Sequence, residues 1–273
     1  MYETATQDGE NSGEKPWERY TLRQTIARYL AILLTVIVFF LSWGALEVRY
    51  EFVATAPREV QDIATRMYPP DAGYSVEIIG PLIETVHIAI LGTVLATVLA
   101  LPVAYIGAEN TTPNRATYVL GKFLIAATRS VNVIVYALIF VVAFGPGALA
   151  GVLALGLRSI GFIAKLLAEA IEEIDRTQVE AVTATGANSL ERILYGVVPQ
   201  IKPTFVGVVT YRWDINVRAS TILGFVAAGG IGVELQNSIN GFRWDAALTI
   251  LIAILLVVLL SEIFSAYARK KVS

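Results

Sequence analysis

Long apolar stretches alternate with shorter polar segments along the 273 residues of the chain. A membrane-spanning helix needs about 20 predominantly apolar residues, because the hydrocarbon core is about 30 Å thick and each residue rises about 1.5 Å. Six stretches are long enough, and together they predict an all-α integral membrane protein with six transmembrane helices. The predicted spans are residues 29–46, 82–108, 122–144, 148–167, 203–226 and 246–268.

The polar segments predict the parts that lie outside the membrane. Residues 1–26 are expected to form an N-terminal tail, and residues 27–273 the transmembrane domain. Residues 47–77 have mixed charge and several prolines, which predicts an extramembrane loop. Residues 145–147, Gly-Pro-Gly, predict a tight turn that stops the third span.

The composition excludes several other classes of protein. With 55% hydrophobic and only 16% charged residues, the chain is too apolar for an ordinary soluble domain. It has no cysteine and a single histidine, so disulfides, thiolate metal sites and a Ser-His-Asp triad are not expected. No stretch matches the phosphate-binding pattern G-x-x-x-x-G-K-[ST]. We therefore expect no enzyme activity, cofactor, metal or nucleic-acid partner for this chain.

Lysines and arginines are distributed unequally between the two sides that six spans define. The segments on the side of the termini carry thirteen of them, and the opposite segments carry four. Cytoplasmic loops carry the excess of positive charge in most membrane proteins. Both termini, the N-terminal tail and residues 177–199 are therefore expected to be cytoplasmic. The expected location is the plasma (inner) membrane, as a multi-pass protein in contact with lipid.

The longest polar segment of the second half, residues 177–199, predicts two short helices joined by a turn. Thr177 begins a T-x-x-E pattern that is typical of a helix N-terminus, so the first helix should start there. Gly186 can end this helix with a positive φ angle, and Asn188 or Ser189 can cap a second helix that runs to the end of the segment. The pattern is also compatible with a plain solvated loop.

This segment resembles the cytoplasmic EAA loop of ABC importer permeases, whose pattern is E-A-A, three residues, G, nine residues and I-x-L-P. Four residues are in register with it: Glu180, Ala181, Gly186 and Pro199. Three depart from it: Val182, Gly196 and Val198. In that family the loop forms a coupling helix that docks into a separate ATPase subunit. The resemblance therefore implies a coupling loop at about residues 176–199, with ATPase-coupling residues Glu180, Ala181, Gly186, Ala187 and Pro199.

Four arginines lie inside the predicted spans: Arg129, Arg158, Arg212 and Arg218. An arginine at the bilayer centre costs roughly 2.5–3.5 kcal/mol on insertion scales, so these side chains should face protein or water. Asp214 is a nearby acid that can neutralise Arg212 or, at i and i+4, Arg218. The cations left unpaired would line a path suited to oxyanions, because a guanidinium group offers a planar fork of donors.

The fifth span is the expected centre of that path. Asp214, Arg218 and Thr221 recur at helical spacing, so their face is expected to turn toward the pore, with Arg218 as the principal contact. The alternative is that Arg218 only neutralises Asp214. The full set of candidate pathway residues is Arg129, Asn132, Arg158, Arg212, Asp214, Asn216, Arg218, Ser220 and Thr221.

Residues 159–175, 212–224 and 228–232 resemble the corresponding segments of phosphonate-type ABC importer permeases. The similarity covers about residues 129–273, and Arg158 stands where that family often has His. It implies a type I (MetI-like) permease fold. The chain would then be the permease subunit of an ATP-driven importer for phosphonate, phosphite or a related phosphorus oxyanion.

The resemblance also implies partners. Two permease copies would form a homodimer and dock two ATPase subunits, which would bind the ATP and Mg²⁺. An extracytoplasmic substrate-binding protein would deliver the anion, and closure of the ATPase dimer would drive alternating access. Two alternatives stay open. One is a permease for sulfate, an amino acid or a metal chelate, and the other is a secondary transporter driven by an ion gradient.

Overall fold

A computed structural model describes residues 22–46 and 49–272 of the chain, with side chains up to Lys270. Those residues form α-helices, two short 3-10 turns and one π-helical turn, with no β-strand among them. The α-helices are α1 (Leu22–Ala45), α2 (Tyr50–Met67), α3 (Ile79–Gly107), α4 (Arg115–Ser130), α5 (Val133–Phe144), α6 (Ala148–Glu172), α7 (Arg176–Ala184), α8 (Ser189–Glu191), α9 (Val198–Leu223), α10 (Ile231–Asn240) and α11 (Trp244–Val272). The predicted tail lies outside the described residues up to position 21, and its remainder belongs to α1.

Five helical segments in the described part of the chain are long and apolar enough to cross a membrane: Leu22–Ala45, Gly73–Gly107, Ala148–Glu172, Ser189–Val226 and Trp244–Lys270. A sixth candidate is the pair α4 and α5, which meet at an angle of 87°. The prediction of one continuous third span over residues 122–144 is therefore wrong. Val131 is extended, and Asn132 Oδ1 accepts a hydrogen bond from Ile134 N at 3.0 Å, so a new helix begins there.

The chain divides at Gln61 into two compact units. In the first unit no residue of α1 is buried, and Trp43 Nε1 donates a hydrogen bond of 2.6 Å to the hydroxyl of Tyr50. The prediction that residues 47–77 form a loop is wrong for most of their length, because α2 occupies 18 of them. Val53 and Val60 recur at helical spacing between charged positions, and this periodicity outweighs the internal proline.

In the second unit, α3 and α6 pack closely because both present small residues to each other. A Cβ atom added at Gly92 would lie 2.8 Å from the Cβ of Leu155, and one at Gly156 would lie 2.8 Å from Leu95 Cδ2. Ala96 and Ala100 on α3 are fully buried. Such faces let membrane helices approach until their backbones nearly touch, which strengthens van der Waals packing. The pair forms the framework on which α9 is placed.

Candidate functional site

The predicted coupling loop is a short helical hairpin in the structure. Its first helix, α7, begins at Arg176 and is capped by Asp175, whose Oδ1 accepts from Thr177 N at 2.9 Å. The helix therefore begins within one residue of Thr177, near the predicted start, but its cap is Asp175 in place of the T-x-x-E pattern at Thr177, because the Asp175 carboxylate accepts from the free N–H. Hydrogen bonds from Thr177 lower the pKa of the Asp175 carboxyl group, so the cap is lost only when the pH falls through that lowered value.

The turn and the start of the second helix agree with their sequence prediction. Gly186 has a φ angle of +85°, a conformation that side chains with a Cβ rarely adopt. Asn188 Oδ1 accepts from Glu191 N at 3.0 Å, and Glu191 Oε2 accepts from Asn188 N at 2.8 Å. This reciprocal pair is a capping box, and it fixes the direction in which the chain leaves the turn.

The exposed side of this hairpin bears the residues predicted to contact an ATPase. Glu180, Ala181 and Gly186 are exposed, and Ala187 is half-buried. A shallow groove of about 580 Å³ runs between the two short helices, with Ala181, Gly186 and Ala187 in its wall. The groove is the place where a side chain from another protein can contact all three.

The second helix does not end at Pro199 as predicted. A π-helical turn, Arg192–Val197, follows α8 and leads directly into α9, so residues 189–226 form one long helical segment. Pro199 lies in the first turn of α9, directly after the π turn. The fifth span is therefore continuous with the coupling loop.

Asp214 pairs with Arg218 in the structure, which is the pairing that the sequence left as an alternative. The Arg218 guanidinium donates to Asp214 Oδ2, and Ser261 on α11 donates to Asp214 Oδ1 at 2.9 Å. Asp214 is buried, whereas 44% of the Arg218 side chain is exposed. The neighbouring hydroxyls of Ser220 and Thr221 donate to carbonyl groups of their own helix, at Val217 and Arg218.

Arg212 is held by a chain of buried hydrogen bonds that links three helices. Arg212 Nε donates to Ser159 Oγ on α6 at 2.8 Å, and Ser159 Oγ donates to Asn216 Oδ1 at 3.2 Å. Asn216 Nδ2 then donates to Thr93 Oγ1 on α3 at 2.9 Å. Ser159 and Asn216 are fully buried. Sequence reasoning did not single out Ser159 and Thr93, since isolated hydroxyls in apolar helices usually bond to their own backbone.

Two further arginines lie near this stretch of α6, which are Arg158 of α6 itself and Arg129 of α4. The Arg212 guanidinium lies over the ring of Phe162, 5.2 Å from its centroid. Arg158 is the residue directly before Ser159, the hydrogen-bond partner of Arg212. A Cβ atom added at Gly161 would lie 2.8 Å from Arg129 Cγ. We call Arg129, Arg158 and Arg212 the arginine cluster. Within the described chain none of the three forms an ion pair with a carboxylate.

The fold and these two sites define a helical, multi-pass membrane protein that serves as a transport subunit. Residues 97–273 match the family model described as "Binding-protein-dependent transport system inner membrane component". This stretch is more than half of the chain, and the chain belongs to that family. The family confirms the predicted permease role, in which the chain is not an enzyme, and the location in the inner membrane. An ion-gradient-driven secondary transporter is thereby disfavoured.

The chain is also similar to individual members of this family. The chain is 44% identical over 212 residues to the phosphite transport system permease protein PtxC of Stutzerimonas stutzeri, covering 77% of each chain. It is 39% identical over 224 residues to the phosphate-import permease protein PhnE of Mycolicibacterium smegmatis, covering 81% of this chain and 42% of that relative.

A solved structure supports the fold. The inward-facing MetNI methionine ABC transporter contains a chain similar to this one, with a TM-score of 0.63 and 22% identity. The match covers 72% of this chain and 96% of that chain. At this identity the likeness speaks for the fold alone, and it confirms the predicted type I (MetI-like) permease architecture.

Proposed function

We propose that this chain forms the translocation pathway of an ATP-driven importer for a phosphorus oxyanion, which is phosphonate, phosphite or phosphate. The observation that carries the proposal is the arginine cluster on α4, α6 and α9, which no carboxylate of the described chain neutralises. Arg212 is buried, and a buried cation without a counterion calls for an anionic partner, because burying an unpaired charge is costly. The phosphite and phosphate systems named for the relatives support the same class of substrate.

The chemistry of arginine favours a tetrahedral oxyanion. A guanidinium group presents paired N–H donors in a plane, and these match two oxygens of a phosphorus centre. In Arg212 the bond from Nε to Ser159 Oγ uses one donor and fixes the plane of the group. Its terminal amino groups make no hydrogen bond to another described side chain, so they stay available for an anion. Arg158 on α6 and Arg129 on α4, whose Cγ lies near Gly161 of α6, add further positive charge.

The other candidate residues divide into two groups. Asp214 and Arg218 form an internal pair against α11, and Asn216 belongs to the network that holds Arg212, so these three support the path. Asn132 caps α5, and Ser220 and Thr221 bond to their own helix. We propose that the anion meets Arg212, Arg158 and Arg129, in place of Arg218.

The proposed assembly has two permease copies, two ATPase subunits and an external binding protein. The coupling loop would contact the ATPase through Glu180, Ala181, Gly186, Ala187 and Pro199. The groove beside Gly186 and the exposure of Glu180 and Ala181 support this contact. ATP and Mg²⁺ would be bound by the ATPase subunits, and the coupling loop, like both termini, would be cytoplasmic.

Transport by the purified complex tests the substrate. The permease, its co-purified ATPase and its binding protein are reconstituted in proteoliposomes, and uptake of radiolabelled phosphite, phosphonate and phosphate is compared with that of sulfate, an amino acid and a metal chelate. We expect ATP-dependent uptake of at least one phosphorus oxyanion and none of the other substrates. Preferred uptake of an amino acid or a chelate would reject the proposed substrate class.

Cysteine labelling tests the orientation. The chain has no native cysteine, so single substitutions give unambiguous labels. We expect Asp71→Cys to react with a membrane-impermeant thiol reagent in spheroplasts, and Asn188→Cys to react only after the membrane is opened. Labelling of Asn188→Cys from outside would contradict both the orientation and the ATPase contact.

A further inference from the structure

Gln200 joins the start of the coupling helix α7 to the start of α9. Its Oε1 accepts from Asp175 N at 2.9 Å, and its Nε2 donates to Asp175 O at 3.3 Å and to Gly196 O at 2.7 Å. The amide therefore bonds to both the N–H and the C=O of one residue that lies 25 positions earlier. No charged side chain offers a donor and an acceptor together in this way.

A second contact lies beside this amide. A Cβ atom added at Gly196 would lie 3.2 Å from the Cα of Val179, so the backbones of the π turn and α7 almost touch. Gly196 is buried and Val197 belongs to the same apolar cluster as Val179. The coupling helix thus rests on the π turn and is bonded to the first turn of α9.

The π turn makes this side-chain bond important. A π-helical turn is a rare insertion in a helix, often found at functional sites, and its wider ring is less regular than the α-helical one. The backbone path from α7 to α9 passes through Gly186 and this turn, so a small displacement of α7 can be absorbed there. The hydrogen bonds of Gln200 connect α7 to α9 directly, without passing through Gly186 or the π turn.

Arg212 lies twelve residues beyond Gln200 on α9, which stays α-helical through the internal Pro203. At about 1.5 Å per residue the two lie about 18 Å apart along the helix axis. A rigid helix carries a movement of its first turn over such a distance. We propose that Gln200 is a positioning residue that makes α9 follow the coupling helix, so that movement of the ATPase reaches the arginine cluster. This inference rests on the proposed ATP-driven import.

Hydrogen exchange tests whether the link exists without reference to the substrate. Gln200→Met keeps the length of the side chain and removes all three bonds. In the reconstituted complex we expect faster exchange of the Asp175 amide, by about tenfold, since its acceptor is gone. Thr204→Val is the matched control, because Thr204 is exposed one turn further along α9 and makes no side-chain hydrogen bond within the described chain. Unchanged exchange in Gln200→Met would refute the link.

Movement of α9 tests what the link does. Ala219→Cys places a single thiol on α9, and its labelling rate is measured with and without ATP in the complex. In the protein that keeps Gln200, we expect ATP to change the labelling rate of Ala219→Cys several-fold. In the protein that also carries Gln200→Met, we expect ATP to leave this rate nearly constant. An equal response to ATP in both proteins would overturn the proposal, whatever substrate the transporter carries.

The ratio of anion imported to ATP hydrolysed separates positioning from simple support of the fold. In Gln200→Met we expect hydrolysis within about twofold of the unsubstituted complex and uptake lower by about tenfold. A parallel fall of both would show that Gln200 only stabilises the docking surface, which contradicts the inference. If the unsubstituted complex imports no phosphorus oxyanion, the substrate proposal fails, and the thiol-labelling result still decides the link.

Discussion

The coupling loop and the arginine cluster are held by contacts of different range. In the coupling loop the hydrogen bonds that cap the two short helices join residues two or three positions apart, as between Asp175 and Thr177 or Asn188 and Glu191. In the arginine cluster they join residues that are 53 positions apart, as between Arg212 and Ser159. The loop is also exposed, whereas Arg212 is buried. In the proposed function, the site for the ATPase is thus built locally at the surface, and the proposed site for the anion is assembled from several helices inside.

This difference predicts how each region responds to substitution. Substitutions in the coupling loop should reduce the stimulated ATP hydrolysis and leave the packing of the other helices intact. Changes in the arginine cluster should act on the transported anion and leave ATP hydrolysis largely intact. The experiments that follow test this division.

The largest effect is expected at the turn of the coupling loop. Gly186→Arg forces a residue with a Cβ into a φ of +85° and places a bulky charge beside the groove. We expect hydrolysis stimulated by the binding protein to fall by about a hundredfold, as for a central interface residue, with normal membrane insertion. Gly186→Asn is the control, because Asn tolerates positive φ, and it should retain most activity. Stimulated hydrolysis at the original rate in Gly186→Arg would contradict the role of the loop.

The second-largest effect is a loss of anion uptake on substitution of Arg212. Arg212→Gln removes the charge while keeping a polar side chain, and we expect anion uptake to fall by between about tenfold and a hundredfold, the worth of a charge-assisted hydrogen bond. Hydrolysis should stay within about twofold, since the coupling loop is distant along α9.

The internal pair provides the contrast for Arg212. In the double variant Asp214→Asn, Arg218→Gln both charges of the pair are removed, so no unpaired charge is left buried. We expect this variant to keep most of its uptake, whereas Arg218→Gln alone should be less stable because it leaves Asp214 unpaired. If the double variant lost uptake as completely as Arg212→Gln, the anion path would include Arg218, as the sequence first indicated.

The difference in sequence separation between hydrogen-bond partners in the two regions also explains which features the sequence could predict. Gly186 and Asn188 were identified because a turn and a cap depend on a few neighbouring residues. The sequence left the partner of Asp214 open, although helical spacing favours Arg218 at i+4 over Arg212 at i−2. The additional bond from Ser261 of α11 could not be predicted, because it exists only when the two helices meet. Ser159 and Thr93 were missed because their role exists only when α3, α6 and α9 meet. The break in the third span was missed because hydropathy averages over Asn132, whose cap redirects the chain.

A smaller effect on transport is expected from the support of Arg212. Ser159→Ala removes the acceptor of Arg212 Nε and leaves the buried Asn216 Oδ1 without its donor. We expect uptake to fall about threefold to tenfold and the free energy of unfolding to fall by about 1–3 kcal/mol, the cost of an unsatisfied buried group. Ser130→Ala, at an exposed site, is the matched control. Thermal unfolding and uptake are measured on the same preparations of both variants. If Ser159→Ala and Ser130→Ala behaved equally, Ser159 would not be part of the network that holds Arg212.

The smallest effect is expected at the cap of the second short helix. Asn188→Ala removes the acceptor for Glu191 N, and loss of such a cap costs about 1 kcal/mol. The loss is confined to one exposed helical turn, so we expect the midpoint of thermal unfolding of the whole protein to change little. Hydrogen exchange of residues 189–192 should rise, while the amides of α9 beyond Gln200 should exchange as before. Asn188→Asp keeps an acceptor at the cap and should behave like the original residue. Increased exchange spreading along α9 would show that the coupling loop and the span are one cooperative unit, and the division between local and long-range contacts would then not hold at this junction.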